Sequence, residues 1–331
     1  MNATAVRSIR ILLAALAVIG LLAAGRAAAQ AFPAKPITLL VGVAPGGAQD
    51  FIARNVAQQM ARIIGQQVVV ENRPGASGKI ALHALLGQPR DGYAFAIVTA
   101  GAMAINPLVD RQIGYDPVGD FVPLTLAART PLVVLVNPGL PVRSMKELVT
   151  YAKANADKMA YGSFGNASTA NVWTEELLMT LGIAALHVPY KGESLALNEL
   201  VAGQIQMMIV SGVAKPLVDS GKLVALATSG ATRWALFPST PTLGETGMSE
   251  LVNYVNTPWL GFVASAGTPA DVASRLSTAL VEALRSPEVS GALAKSGFEV
   301  VASSPQDFRA VIRAELERNR KVLASGRIRL E

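Results

Sequence analysis

With two histidines, His83 and His187, and no cysteine in 331 residues, this chain has few ways to make or break bonds. Thiolate nucleophiles, disulfides, iron–sulfur clusters and cysteine-bound zinc are excluded together. Two histidines are a poor metal set, and no H-E-x-x-H string is present. A nucleophile elbow of G-x-S-x-G form is also absent, since the nearest string, Gly162-Ser163-Phe164-Gly165, has the wrong spacing. Gly75-Ala76-Ser77-Gly78-Lys79 resembles a phosphate loop only superficially: its glycines are too close together, and Ile80 stands where a magnesium-binding hydroxyl belongs. His187, beside Val188-Pro189, reads as a structural hydrogen-bonder rather than a base.

Two glycine-containing loops carry the positive signal. The first is Pro45-Gly46-Gly47-Ala48-Gln49-Asp50. Its glycines let backbone N–H groups turn toward a ligand without Cβ obstruction, and a helix opening near Asp50 adds a positive dipole end suited to a carboxylate. The second, Ser163-Phe164-Gly165-Asn166-Ala167-Ser168-Thr169, repeats the arrangement with hydroxyls and an amide. An anion between them would meet neutral donors rather than a lysine or arginine clamp, which favours specific but reversible binding. Each loop is equally a tight turn with a helix cap, and at Asp50 the cap is preferred over direct ligand contact. Tyr190 and Lys191, following an apolar strand at 186–189, are candidates to deliver a phenol or an ammonium to the same cleft, though Lys191 reads equally as a solvated side chain. Trp259 reads as packing between lobes.

The elements that must position these loops are β-type runs alternating with helix-type runs. Strands are predicted at 37–44, 68–72, 94–99, 131–136, 158–162, 204–210 and 223–227, an α/β pattern with a parallel sheet. A helix over 51–64 gathers Phe51, Ile52, Val56, Met60, Ile63 and Ile64 on one face and stops at Gly65. The extended, proline-punctuated runs 121–136 and 254–263 suit strands crossing between two lobes, the second lobe being an insertion. Runs 271–284 and 305–323 read as amphipathic scaffold helices, the latter opened by Ser304-Pro305.

Composition sets the surroundings. Hydrophobic residues make up 51% and charged residues 16%, too apolar for a disordered chain, and the length suits two domains. Arg7 and Arg10, an apolar run over 11–24 and Ala27-x-Ala29 follow the grammar of a cleavable signal peptide, 1–29, with cleavage after Ala29. The apolar run is shorter than the roughly 20 residues that span a bilayer, and no cysteine follows it to carry a lipid. The expected compartment is the periplasm. Residues 1–29 hold three arginines and no acids, so their removal halves the net charge from +6 to +3. No cluster of basic and aromatic residues offers a nucleic-acid surface.

Taken in order, the segments resemble the substrate-binding receptors of tripartite tricarboxylate transporters, the Bug family. The resemblance runs nearly end to end. Its carriers are Phe32-Pro33-Ala34-Lys35-Pro36-Ile37, Pro45-Gly46-Gly47 with Asp50 and Ala53-Arg54, and Val69-Val70-Glu71-Asn72-Arg73-Pro74-Gly75-Ala76. Asp91-Gly92-Tyr93, Ile105-Asn106-Pro107, Tyr115-Asp116-Pro117 and Asp120-Phe121 follow. His187-Val188-Pro189-Tyr190-Lys191-Gly192, Gly203-Gln204, Gly221-Lys222-Leu223 and Ala266-Gly267-Thr268-Pro269 complete the series.

The resemblance implies an α/β, two-lobed type II periplasmic binding fold, each lobe a mixed sheet flanked by helices, with the ligand in the cleft between them. With the apolar crossings it places residues 30–128 and 254–331 in one lobe and 129–253 in the other. It implies a monomeric receptor, not an enzyme, that needs no metal or cofactor, binds no nucleic acid, captures a small organic carboxylate and delivers it to integral-membrane permease subunits. Some relatives are thought to serve a sensor kinase instead, and a secreted enzyme using His187 or Asp50 as base is the contrasting alternative. The ligand is expected on Pro45, Gly46, Gly47, Ala48, Gln49 and Asp50, on Ala100 and Gly101, on Ser163, Gly165, Asn166, Ala167, Ser168 and Thr169, and on Tyr190 and Lys191. Departures from the family pattern reshape this pocket. Ala48-Gln49 stands where Ser-Thr is common, and Ala100-Gly101-Ala102-Met103 replaces a more polar string. With Phe164 these changes favour a ligand with an apolar or aromatic body. The second loop is one residue shorter than a common family form, and Val210-Ser211-Gly212-Val213-Ala214-Lys215 lacks the usual Asp-Asn pair, leaving Lys215 as a candidate distal partner.

Overall fold

The computed structural model describes residues 32–328; the expected signal peptide and the predicted cleavage point after Ala29 lie outside them. Contacts divide the chain at Lys35, and the description concerns the unit that begins at Pro36.

Alternation of strand and helix builds two sheets in turn. β1 (Ile37–Val41), α1 (Ala48–Ile64), β2 (Val68–Asn72), α2 (Lys79–Leu86), β3 (Ala94–Thr99), a π-helical turn at Gly101–Ile105, α3 (Asn106–Val109) and β4 (Phe121–Arg129) form the first part. The chain then enters a second sheet through β5 (Val133–Val136), α4 (Met145–Ala154), β6 (Ala160–Ser163), α5 (Thr169–Leu181), β7 (Leu186–Pro189), α6 (Glu193–Val201), β8 (Met207–Val210), α7 (Lys215–Asp219) and β9 (Val224–Thr228). It returns as β10 (Trp259–Ser265), α8 (Ala270–Arg285), α9 (Pro287–Lys295), β11 (Glu299–Val300) and α10 (Pro305–Ala324).

The sheet orders are β11-β4-β10-β3-β1-β2 and β7-β6-β8-β5-β9. Both share one plan: three parallel strands in the order second, first, third, then an antiparallel strand arriving from the other sheet, then a further strand, β4 in the first sheet and β9 in the second; β11 adds an outer edge to the first. This is the two-lobed α/β architecture that the resemblance implies. The run 121–136 is therefore two strands, β4 and β5, parted at Thr130-Pro131-Leu132. The crossings pair with each other: the Thr130 N–H donates to Pro258 O at 3.0 Å, and the Ser229 N–H to Leu132 O at 2.9 Å. Parallel strands with helices on both faces must be apolar on both: β3 is buried from Ala94 to Val98, and antiparallel β10 beside it is buried throughout.

The helix predicted over 51–64 begins three residues earlier, at Ala48, because Gly47 takes the extended backbone of an N-cap residue. It ends as predicted, with Gly65 in the left-handed region and its N–H on Ala61 O. Ile52, Val56 and Met60 are buried, whereas Phe51, Ile63 and Ile64 stay half-exposed. α10 starts at Ser304, whose hydroxyl accepts from Asp307 N–H, with Pro305 in the first turn. Phe308 anchors it, fully buried and edge-on to Trp259 at 5.2 Å, a pair worth about 0.5–1.5 kcal/mol beyond area burial.

That anchor demands a glycine on β10. A Cβ at Gly261 would lie 2.2 Å from Phe308 Cζ, so Gly261→Ala is expected to lower stability by about 1–3 kcal/mol. Gly291 in α9 has nothing within 4 Å of its would-be Cβ, and Gly291→Ala is expected to be neutral or to stabilise by up to about 1 kcal/mol. Urea unfolding of the two variants checks both values, and equal midpoints would refute the packing argument.

Candidate functional site

The first loop is held in shape by one buried carboxylate. Asp50 is 3% exposed; its Oδ2 accepts from Gly46 N–H and from Arg54 Nε, and its Oδ1 from Asn72 Nδ2, all at 2.9 Å. Asn72 Nδ2 also donates to Val43 O at 3.0 Å, and Arg54 closes the ring through Asn72 Oδ1. The Arg54 guanidinium beside it holds the Asp50 carboxyl down at about 2. Asp50 makes no cap bond to its own helix; it ties the end of β1, the loop, α1 and the end of β2 together. The first N–H groups of α1, those of Ala48 and Gln49, have no partner within the helix and no capping side chain.

The second loop is supported from beneath in a comparable way. Ser163 is fully buried, its Oγ 2.7 Å from His187 Nε2 and bonded to both the N–H and the carbonyl of Gly165. Tyr161 and His187, register partners on β6 and β7, stack at 4.9 Å. Asn171 accepts from Ala167 N–H and donates to the Tyr161 hydroxyl, which donates to Glu175. Burial pushes the His187 imidazole below its ordinary value of 6.5 and the Glu175 carboxyl above its own. Gly165 at φ +137° and Ala167 at φ +51° carry the turn, and Ser168 caps α5 by accepting from Asn171 N–H. That leaves the Thr169 and Ala170 N–H groups without a helix partner.

α1 and α5, one beginning after the first parallel strand of each sheet, open onto one cavity of about 470 Å³. Its walls come from the carboxyl ends of β1, β3, β6 and β8 and from both crossings, where open α/β sheets bind ligands. The lining is mostly apolar and aromatic, with no lysine or arginine and a single carboxylate, Glu193. All three tryptophans of the chain, Trp173, Trp234 and Trp259, face it. Trp234 donates to Gly297 O and Trp259 to Glu315. Trp173 is 2% exposed and its Nε1 has no partner, nor has the buried Gln49 Oε1.

Of the residues singled out by sequence, Ala48, Gln49, Ala100, Gly101 and Thr169 line this cavity together. A Cβ at Gly101 would sit 3.1 Å from Thr169 Oγ1, so the two loops approach each other closely there. Pro45, Gly46, Gly47, Asp50, Ser163, Gly165, Asn166, Ala167 and Ser168 stand outside the lining, where they shape the loops. Tyr190 packs its ring over Gly162, and Lys191 is exposed, away from the cavity. Lys215 is paired with Asp219 over the Phe237 ring, and Lys79 of the phosphate-loop-like string is paired with Asp110 at 2.8 Å. Ser211, in the string that lacks the usual Asp-Asn pair, also lines the cavity, as do Trp173, Glu193, Thr130, Trp234 and Phe298, which sequence reasoning misses. Trp173 and Glu193 follow predicted residues by four and two positions, one helical turn or less; the others come from crossings and strand ends distant in sequence.

Residues 52–327 match the model of the tripartite tricarboxylate transporter family receptors. The protein BugT of Bordetella pertussis is 34% identical over 310 residues, covering 92% of this chain and 94% of BugT. Among solved structures, Rpa4515 of R. palustris with adipate is 34% identical with a TM-score of 0.73, covering 90% of this chain and 99% of that one. MatC of Rhodopseudomonas palustris with bound malate is 27% identical with a TM-score of 0.70, over 88% and 99%.

Both loop anchors lose stability as pH falls, but in different windows. Asp50 titrates lower in the folded than in the unfolded chain, so its contribution is present above about 3.8 and lost as pH falls toward 2. Asp50→Asn is expected to cost about 2 kcal/mol at neutral pH, with the gap to wild type closing below pH 4. His187 is also depressed, but as a base: the unfolded chain takes up the proton first, so stability falls as pH drops below 6.5. Relative to His187→Asn, the wild type should therefore lose stability from pH 7 to 5. A constant difference in melting temperature across that range would contradict it.

Proposed function

Because the chain belongs to the tripartite tricarboxylate transporter receptor family, we propose that it is an exported periplasmic receptor that captures a small organic carboxylate in this cleft and passes it to membrane permease subunits. The observation that carries the reading is the meeting of two helix N-termini, one from each sheet, in a cavity that holds no basic side chain. N–H groups at a helix start and the aligned peptide dipoles favour an anion without a counter-ion. The carboxylates bound by two relatives, adipate and malate, support the same class of ligand here. Held by neutral donors, the anion is released without breaking a salt bridge, as a delivery protein requires. The aromatic lining suits a ligand with an apolar body.

In this reading the receptor is a monomer, freed by cleavage after Ala29. Its lobes are residues 30–128 with 254–331, and 129–253, which agrees with strands passing between the sheets at 130–132 and 229–258. It is a receptor rather than an enzyme: Ser163 and His187, the pair nearest to a nucleophile and base, are absorbed in holding the second loop and stand outside the cavity lining.

A thermal-shift screen of residues 30–331 against mono-, di- and tricarboxylic acids, each beside its amide, tests the function. At 100 times its dissociation constant a ligand stabilises by about 2.7 kcal/mol, a shift of several degrees. An acid should shift the transition while its amide does not; no shift by any acid would refute carboxylate capture. With all three tryptophans on the cavity, binding should also change intrinsic fluorescence.

A further inference from the structure

Glu193 is a half-exposed carboxylate on the wall of a cavity read as an anion site. It opens α6, and its Oε1 accepts from the Ser211 N–H at 3.0 Å and the Ser211 hydroxyl at 3.1 Å. Its Oε2 has no partner among the described residues, and no cation answers the charge. Lys191, two residues earlier, is exposed outside the lining, and Lys215 is committed to Asp219. A first-turn glutamate does stabilise its own helix, and that accounts for an acid at this position on any face. It does not account for a carboxylate steered onto the cavity wall by two bonds from the end of β8.

We propose that Glu193 is a specificity residue. It accepts a hydrogen-bond donor at the end of the ligand remote from the helix-held carboxylate, and it rejects ligands carrying a second carboxylate there. The proposal rests on the carboxylate-receptor reading and narrows it to acids whose far end is an ammonium or another donor. A carboxylate pressed against an unanswered carboxylate in a cavity walled by aromatic rings is repelled more strongly than in water. An ammonium in the same place gains a charge-assisted bond. Specificity of this kind combines an attraction with a built-in repulsion.

The test is calorimetric titration of residues 30–331 with ω-amino acids of four to eight carbons, the matching α,ω-diacids and the plain alkanoates. The best-bound ω-amino acid should exceed its diacid counterpart at least tenfold. Glu193→Gln, which keeps the shape and the Ser211 contact, should bring that ratio to unity or below. A wild-type protein that binds a diacid as tightly as the amino acid of equal length overturns the proposal, whether or not the variant folds. So does a wild-type preference that Glu193→Gln, shown folded by circular dichroism, leaves unchanged. If the alkanoates bind and the ratio is one, only the role of Glu193 fails; if no member of any series binds folded protein, the role of Glu193 fails as well, and the thermal-shift screen over all acids decides the carboxylate-receptor reading separately.

Discussion

The first turn of a helix offers N–H groups that nothing inside the helix can satisfy, and here two such turns share one cavity. α1 brings those of Ala48 and Gln49 and α5 those of Thr169 and Ala170. Donors fixed in the backbone hold their positions only if the loops before them are rigid, and the surrounding polar residues supply that rigidity. Asp50, Arg54 and Asn72 knot the first loop to two strand ends. Ser163, His187, Tyr161, Asn171 and Glu175 do the same beneath the second. The shared sheet plan then places both helix starts at the carboxyl ends of parallel strands, so one topological rule applied twice makes one site.

The sheets are tied together at the crossings, through α10 and Arg327, and by Trp234 on Gly297 O. The crossings are hydrogen-bonded to each other through Thr130, Leu132, Ser229 and Pro258, and so form a two-strand connector. Beside it α10 reaches from the first sheet to α5 of the second: Arg318 pairs with Glu176 at 3.4 Å and with Glu315, while Asn256 bridges Arg318 and Glu176. Burial raises the Glu176 carboxyl, and Arg318 opposes the shift. Trp259, bonded to Glu315, carries this network to the cavity wall. Any change in the angle between the sheets must be absorbed by the connector and felt by this cluster.

Much of this architecture is legible in the order and spacing of residues alone. The 3.6-residue spacing of Ile52, Val56 and Met60 and the stop at Gly65 mark α1, and the glycines at 46, 47 and 165 mark the loops where backbone must turn. Periodicity sets the start of α1 three residues late, because the first turn, Ala48-Gln49-Asp50, has no apolar residue large enough to signal a face. Asp50 stands out as a carboxylate at a helix start, yet its work is across the loop, which depends on Asn72 and Arg54 arriving from elsewhere. The motifs that carry the family resemblance are largely these scaffolding residues. The residues that would distinguish one ligand from another, Trp173, Glu193, Ser211, Trp234 and Phe298, come together only when five separate segments are folded onto one cavity. No local pattern announces them. Trp259, expected to pack between lobes, is 2% exposed and also forms part of that wall.

A crystal structure of residues 30–331 with the tightest-binding acid from a screen tests the central claim most directly. The account predicts the carboxylate oxygens within about 3 Å of backbone N–H groups of the α1 start and of the α5 start, with no lysine or arginine in contact. A carboxylate held by one loop alone, or clamped by Lys191 or Lys215, would contradict it.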